Sequence, residues 1–206
     1  MKQVIFDFDG SIANSLPVII EIAEEMLGIE ISKQDVERYR NMTAKQLLKE
    51  AKIPVYKLPG LLVKGRTILR KRTDEIEMFK GLDKVISNLS QDHRLYVVSS
   101  NGLGIINAFL RDQKIEKYFK SVYGNVGIFS KAQSLKKVMK KEGFESQDAV
   151  YIGDEVRDIE AAKRVGMPII SVIWGYNGEE IIIRYNPDFI AKKPSDIEAS
   201  IKKLEN

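Results

Sequence analysis

The chain has 206 residues, with 33 Lys+Arg against 29 Asp+Glu, a formal net charge of +4, one His and no Cys. A length near 200 implies one domain of ordinary size, or one domain with a small insertion, and 44% hydrophobic against 30% charged residues implies a soluble chain with a buried core. The lack of Cys excludes disulfide frameworks, thiol nucleophiles and thiolate metal sites, and a single His excludes multi-His zinc sites.

The opening MKQVIFDFDG holds two acids and no long apolar stretch of the signal-peptide kind. No run approaches the roughly 18 apolar residues of a membrane span. The expectation is therefore a cytoplasmic protein without a membrane partner. No basic stripe interleaved with aromatics stands out, so nucleic acid is not an expected partner either.

Short apolar runs alternate with longer amphipathic segments along the chain. Strands are expected at Val4-Ile5-Phe6, Leu95–Val98, Val122-Tyr123, Ala149–Ile152 and Ile169–Ile173, with Phe189-Ile190-Ala191 as a short edge strand. Helical patterns cover about 82–91, 103–113, 130–142, 155–165 and 195–204. Continuous apolar strands alternating with helices predict an α/β fold, a Rossmann-like parallel sheet with helices on both faces. Between the first strand and Phe79 the pattern shows no strand, only helical stretches at Leu16–Leu27, Lys33–Tyr39, Thr43–Ala51 and Leu58–Glu77. Ser15 is a candidate N-cap there, Pro17 lies near the helix start and Gly28 just past its end. The division expected is a core of 1–14 and 79–206 with an all-helical cap, 15–78, inserted after the first strand. His93, in the polar stretch SQDHR, is expected in a solvated loop.

Four motifs follow predicted strands. In Asp7-Phe8-Asp9-Gly10-Ser11 the two acids, i and i+2, can point to one side of an extended chain. Gly10 permits a sharp exit and close approach of the backbone to a ligand. Alone, this motif is equally compatible with a plain strand-to-loop junction. Ser99-Ser100-Asn101, after LYVV, offers a hydroxyl and helix-entry amides that suit a phosphate oxygen, but taken alone reads more readily as a helix cap. Lys131, in Phe129-Ser130-Lys131-Ala132, opens a helix, a position that disfavours a cation unless an anion is bound nearby. Gly153-Asp154-Glu155-Val156-Arg157-Asp158 brings three acids together after AVYI, with Asp154 and Asp158 one helical turn apart. Oxygen donors without thiolate or imidazole point to Mg2+ rather than zinc.

With all four motifs in this order, the chain resembles the haloacid dehalogenase-like (HAD) hydrolases. It most resembles their phosphoglycolate phosphatase-like branch, with a helical cap after the first motif. The likeness extends to Ala161-Ala162, Val165-Gly166, Trp174-Gly175-Tyr176-Asn177 and Pro187-Asp188. The resemblance implies Asp7 as a nucleophile that becomes an aspartyl-phosphate, and Asp9 as general acid and then base. Mg2+ would be held by Asp7, the Asp9 backbone carbonyl and Asp154, with Asp158 in direct contact or one layer behind. Ser99, with Ser100 as its rival, and Lys131 would bind phosphate, and Lys131 would orient Asp7. Relatives that cleave carbon–halogen bonds lack the second Asp, so Asp9 favours phosphate esters. Ser11-Ile12 and Asn14 depart from the common Thr-Leu and acid of such families, which touches the hinge rather than the core chemistry.

The implied activity is Mg2+-dependent hydrolysis of a small phosphorylated metabolite by a monomer or homodimer. A capped phosphomutase and a non-hydrolytic phospho-signalling module stand as alternatives. Arg38, Arg40 and Lys45 are candidates for substrate contact but read more readily as a solvated helical face.

Overall fold

The computed structural model describes residues 1–127 and 130–205. A six-stranded sheet forms the centre. Its strands are β1 (Gln3–Phe6), β4 (Arg94–Val98), β5 (Phe119–Tyr123), β6 (Ala149–Gly153), β7 (Ile169–Val172) and β8 (Phe189–Ala191). They lie in the order β5-β4-β1-β6-β7-β8, and every pairing is parallel. The expected strands all form, Phe189–Ala191 at the edge.

Alternation along each strand sorts side chains to two cores. Val4, Phe6, Leu95, Val97, Val150 and Ile152 face one side. That side is covered by α5 (Leu82–Asp92), α6 (Leu103–Asp112) and α10 (Ser195–Glu205). Ile5, Tyr96, Val98, Tyr151 and Ile169 face the other, against α7 (Lys131–Glu142), α8 (Val156–Val165) and a short α9 (Glu179–Arg184). Helix α9 was not expected: EEIIIR is too short to show a helical period. Its Ile181 and Ile182 are buried, so packing rather than propensity holds it.

Between Asn14 and Glu77 run α1 (Leu16–Leu27), α2 (Lys33–Arg40), α3 (Ala44–Glu50) and α4 (Leu58–Lys71). Pro17 opens α1, and Gly28 closes it in the left-handed region at φ 65°. Capping boxes start α2 at Ser32 and α3 at Thr43. Three expectations change in this interval. It is not free of strands: β2 (Ala13–Asn14) and β3 (Glu77–Met78) pair antiparallel at the base of the helical segment. Two residues each are too few for a period-2 pattern. The stretch expected to be helical to Glu77 leaves α-helix at Lys71, turns once as a 3₁₀ helix over Thr73–Glu75 and then joins that ribbon. Ser15 occupies the N-cap position of α1, but its side chain makes no cap hydrogen bond, because it is engaged elsewhere.

Helices α1 and α4 are not independent of the sheet core. Val18, Ile22 and Leu69 join the cluster that contains Phe8, Ile12 and Phe109. By contrast, α2 and α3 contain no fully buried residue among the described residues. His93 is also not solvated: its side chain is 9% exposed, and Nδ1 accepts from the Lys2 amide at 3.2 Å. The polar neighbours of His93 hid the fact that it follows α5 at the point where β4 turns in beside β1. Among the described residues, no helix is long and apolar enough to cross a membrane.

Candidate active site

Strand register brings the motifs together. Phe6 lies level with Val97 of β4 and Ile152 of β6, and the Asp7 amide continues the ladder to the Ile152 carbonyl at 2.8 Å. The residues leaving β1, β4 and β6 therefore emerge side by side at one edge of a parallel sheet, where the chain order reverses around β1. Such an edge is the usual ligand site of this architecture.

Asp7, Asp154 and Asp158 converge there. Each offers a carboxylate oxygen within 4.8 Å of the others, and all three are buried. Lys131, 3% exposed, places its ammonium 2.5 Å from Asp7 Oδ2 and 2.5 Å from Asp158 Oδ1. The chain's own acids, Asp7 among them as the resemblance implies, thus give this helix start a reason for its cation. Phe129 of that motif lies outside the described residues. The other Asp7 oxygen, Oδ1, accepts from the Phe8 amide at 2.8 Å, so the carboxylate is pinned from two sides.

Asp158 serves two structural ends as well. It is the N3 residue of the α8 capping box, and its Oδ2 accepts the amides of Glu155 at 2.9 Å and Asp154 at 3.1 Å. Asp154 is gripped by the Ser11 hydroxyl at 2.9 Å and the Tyr176 amide at 2.8 Å. Two glycines make room for it. Gly10 has φ +77°, and a Cβ there would stand 2.1 Å from Asp154 Oδ2; one at Gly175 would stand 2.3 Å from the same oxygen.

Three buried carboxylates against one hydrogen-bonded ammonium leave the cluster short of positive charge. Burial pushes Asp7 up to about 7, with Lys131 pulling it down and Asp158 pushing it further up. Burial, then the charges of Glu155 and Asp158, hold Asp154 far above the usual carboxylate range. Burial acts to lower Lys131, but Asp158 and Asp7 outweigh it, so the ammonium keeps its proton. A hard divalent cation fits this donor set: all oxygen, closely spaced and under-neutralised.

Asp9 faces elsewhere. Its carboxylate is not one of the three that form the Asp cluster. Instead it accepts from the Ser15 hydroxyl at 2.8 Å and from Asn101 Nδ2 at 3.0 Å. Burial raises its pKa, against the lowering effect of those two hydrogen bonds.

Ser99 is buried at the end of β4, and its hydroxyl accepts from the Asn101 amide at 3.0 Å. Ser100 is half-buried, and its carbonyl accepts from Arg66 of α4 at 2.7 Å. Sequence reasoning quoted Asn101 and Ser11 within their motifs and Asn177 through family likeness, but gave none of them a role. It noted Ser15 only as a cap and Tyr176 only through family likeness. Nothing in spacing marks such residues, because their partners lie up to 161 positions away.

A cleft of about 390 Å³ opens beside the cluster between α3 and α8, lined among others by Lys45, Lys131, Glu155, Arg157 and Asn177. Arg38 is the solvated residue expected, paired with Asp35 and Glu50. Arg40 is not: its guanidinium donates to the Ile173 carbonyl at 3.0 Å and ties α2 to the loop after β7.

Comparison with known proteins agrees with this geometry. Residues 4–172 match the haloacid dehalogenase-like hydrolase family. A phosphoglycolate phosphatase of Synechococcus elongatus is 30% identical over 99% of both chains. The pyrophosphatase PpaX of Listeria welshimeri is 23% identical over 100% of this chain and 98% of its own. In fold, the chain is similar to a haloacid dehalogenase-like family hydrolase from Streptococcus pneumoniae, with a TM-score of 0.81, 18% identity and 98% of each chain covered. It is similar also to a hydrolase from Pseudomonas syringae, with a TM-score of 0.77, 17% identity and 98% and 99% covered. A buried Asp triad with its lysine at the switch point of a parallel sheet, and a match spanning most of the chain, lead to one conclusion: the chain belongs to the haloacid dehalogenase-like hydrolases.

Proposed function

We propose that the protein is a Mg2+-dependent phosphatase that hydrolyses a small phosphorylated metabolite, a phosphoglycolate-like monoester, through an aspartyl-phosphate on Asp7. The observation that carries this reading is the separation of Asp7 from Asp9. Two residues apart, they occupy different hydrogen-bond environments, one beside an ammonium and two acids, the other among neutral donors. Asp7, held by Lys131 and the Phe8 amide, is oriented for attack on phosphorus. Asp9, its pKa raised by burial, suits a proton donor to a leaving oxygen and then a base for water.

The residues that would hold Mg2+ are Asp7, Asp154 and the Asp9 carbonyl, with Asp158 as a further oxygen. When bound, the ion offsets repulsion between the carboxylate and the phosphate dianion. Ser99, buried at the end of β4 with its hydroxyl accepting from the Asn101 amide, is assigned the phosphate oxygen in preference to Ser100, with Lys131 supplying positive charge. The helical segment 15–78 acts as a cap on the core, 1–14 and 79–206, and excludes water from the site. The reading assigns the enzyme no nucleic-acid or membrane partner and a cytoplasmic place of action.

A panel of phosphorylated metabolites, with pyrophosphate and p-nitrophenyl phosphate included, tests it with Mg2+ and with EDTA. Expected is turnover of monoesters that EDTA abolishes, and a loss of roughly 10³-fold or more in Asp7→Asn. Activity indifferent to EDTA or to Asp7→Asn overturns the mechanism; turnover that needs a bisphosphorylated activator points to a mutase instead.

A further inference from the structure

The groups around Asp9 form a set separate from the Asp triad. The Ser15 hydroxyl, fully buried, lies 2.8 Å from Asp9 Oδ1 and 2.8 Å from the Tyr176 hydroxyl. A serine has one proton to give, and Asp9 Oδ1 accepts it whether or not the carboxyl carries its own proton on Oδ2. Ser15 therefore donates to Asp9, and the Tyr176 hydroxyl donates to Ser15. On the other side, Asn101 is 4% exposed, and its Nδ2 donates to Asp9 Oδ2 at 3.0 Å and to Oδ1 at 3.3 Å. The orientation of that amide is fixed, because the Gly102 N–H donates to Asn101 Oδ1 at 2.7 Å. A reversed amide would set N–H against N–H there.

These residues come from three places: the start of α1, the loop after β4 and the loop after β7. Together they hold Asp9 by both carboxylate oxygens while leaving the Asp7–Lys131–Asp158 contacts untouched. A carboxylate whose task is to hand over one proton in one direction gains from such restraint, since misplacement by an ångström is costly in rate.

We propose that Ser15, Asn101 and Tyr176 are positioning residues for proton transfer by Asp9, a role that rests on the phosphatase reading above. In the step concerned, an Asp7 oxygen bonds to phosphorus as the phosphorus–ester oxygen bond breaks. The electron pair stays on the leaving oxygen, which takes the proton from the Asp9 carboxyl. The three residues touch neither phosphorus nor the leaving group; they aim the donor.

Leaving groups separate this role from a merely structural one. Nitrophenolate departs without a proton, whereas phenolate, more basic by about three pKa units, needs one far more. The experiment compares kcat/KM for p-nitrophenyl phosphate and phenyl phosphate, esters of similar shape, in wild type, Ser15→Ala, Asn101→Ala and Tyr176→Phe with Mg2+ present. Expected is a loss on phenyl phosphate about tenfold greater than on p-nitrophenyl phosphate in Ser15→Ala and Asn101→Ala, and a smaller split in the same direction in Tyr176→Phe. Tyr176→Phe removes a single oxygen, so it serves if either alanine variant fails to fold, as judged by its thermal midpoint. Equal losses on the two esters across the variants overturn the positioning role and leave the phosphatase reading standing. A wild type that hydrolyses neither of these esters nor any in the metabolite panel overturns both.

Discussion

Lys131 is the only group placing an ammonium in contact with both Asp7 and Asp158 among the described residues, and at 3% exposure it has little water to share their charge. Removing one partner of a buried ionic set costs more than the set contributes, because the remaining charges stay desolvated. Lys131→Met is expected to lose about 3 kcal/mol in urea unfolding with EDTA present, and to recover part of that when Mg2+ is added. A variant as stable as wild type would mean that the acids simply take up protons. Gly175→Ala probes the same cluster sterically: its Cβ would press on Asp154 Oδ2 at 2.3 Å and on the Gly10 carbonyl at 2.4 Å. It should cost about 1–3 kcal/mol and weaken Mg2+ binding, measurable by calorimetry. Residues such as Asp7, Asp154 and Lys131 were legible because each sits just beyond an apolar run or at a helix start, where a charge needs a reason. Asn101 and Ser15 were not, since a neutral polar residue in a loop has a local explanation that never forces the question. Their function resides in contacts spanning 92 and 6 residues.

Among the elements, the helical segment is the part whose attachment matters most. Arg66 of α4 reaches the Ser100 carbonyl, and Asn177 donates to the carbonyls of Arg40 and Met42 at 3.0 Å each. These bonds join α4 and the end of α2 to the loops that carry the site. Deleting 16–78 as a block would strip apolar cover from Phe8 and Ile12, which pack with Val18, Ile22 and Leu69. Point variants are the cleaner probe. Asn177→Ala, which also frees the Val156 amide, should cost about 1–3 kcal/mol. Arg66→Ala should raise KM several-fold with a smaller change in kcat; steady-state kinetics on the best ester checks this, and unchanged KM would leave Arg66 a tether only. The long helices and sheet strands were readable from periodicity. The ribbon of β2 and β3 was not, being two residues a side, nor was α9, whose run of isoleucines carries no helical phase.

For the molecule as a whole, the buried acids couple folding to pH and, on the Mg2+ reading, to the cation. Asp7's folded pKa, about 7, lies above its ordinary value of 3.8, so the metal-free folded chain retains a proton that the unfolded chain has released across that interval. Its contribution to stability is therefore present at low pH and is lost as pH rises toward about 7. A Mg2+ ion held by Asp7 would compete with that proton. The rise in thermal midpoint on adding Mg2+ should accordingly be larger at about pH 8 than at about pH 5.5; the opposite trend would show that the acids are not the ligands. Sheet order supplies a further consequence. β1 is flanked by β4 and β6, so residues 7 and 154 meet only across a strand made late in synthesis. At roughly 5–20 residues per second, the ribosome holds a chain with Asp7 exposed for many seconds before β6 is available. A nascent or truncated chain that stops before Ala149 has neither the acid cluster nor a partner for that edge of β1. On the phosphatase reading, the chemistry thus switches on only once β6 and the start of α8 have joined the sheet, and chains that stop short of them have no phosphate chemistry to misdirect.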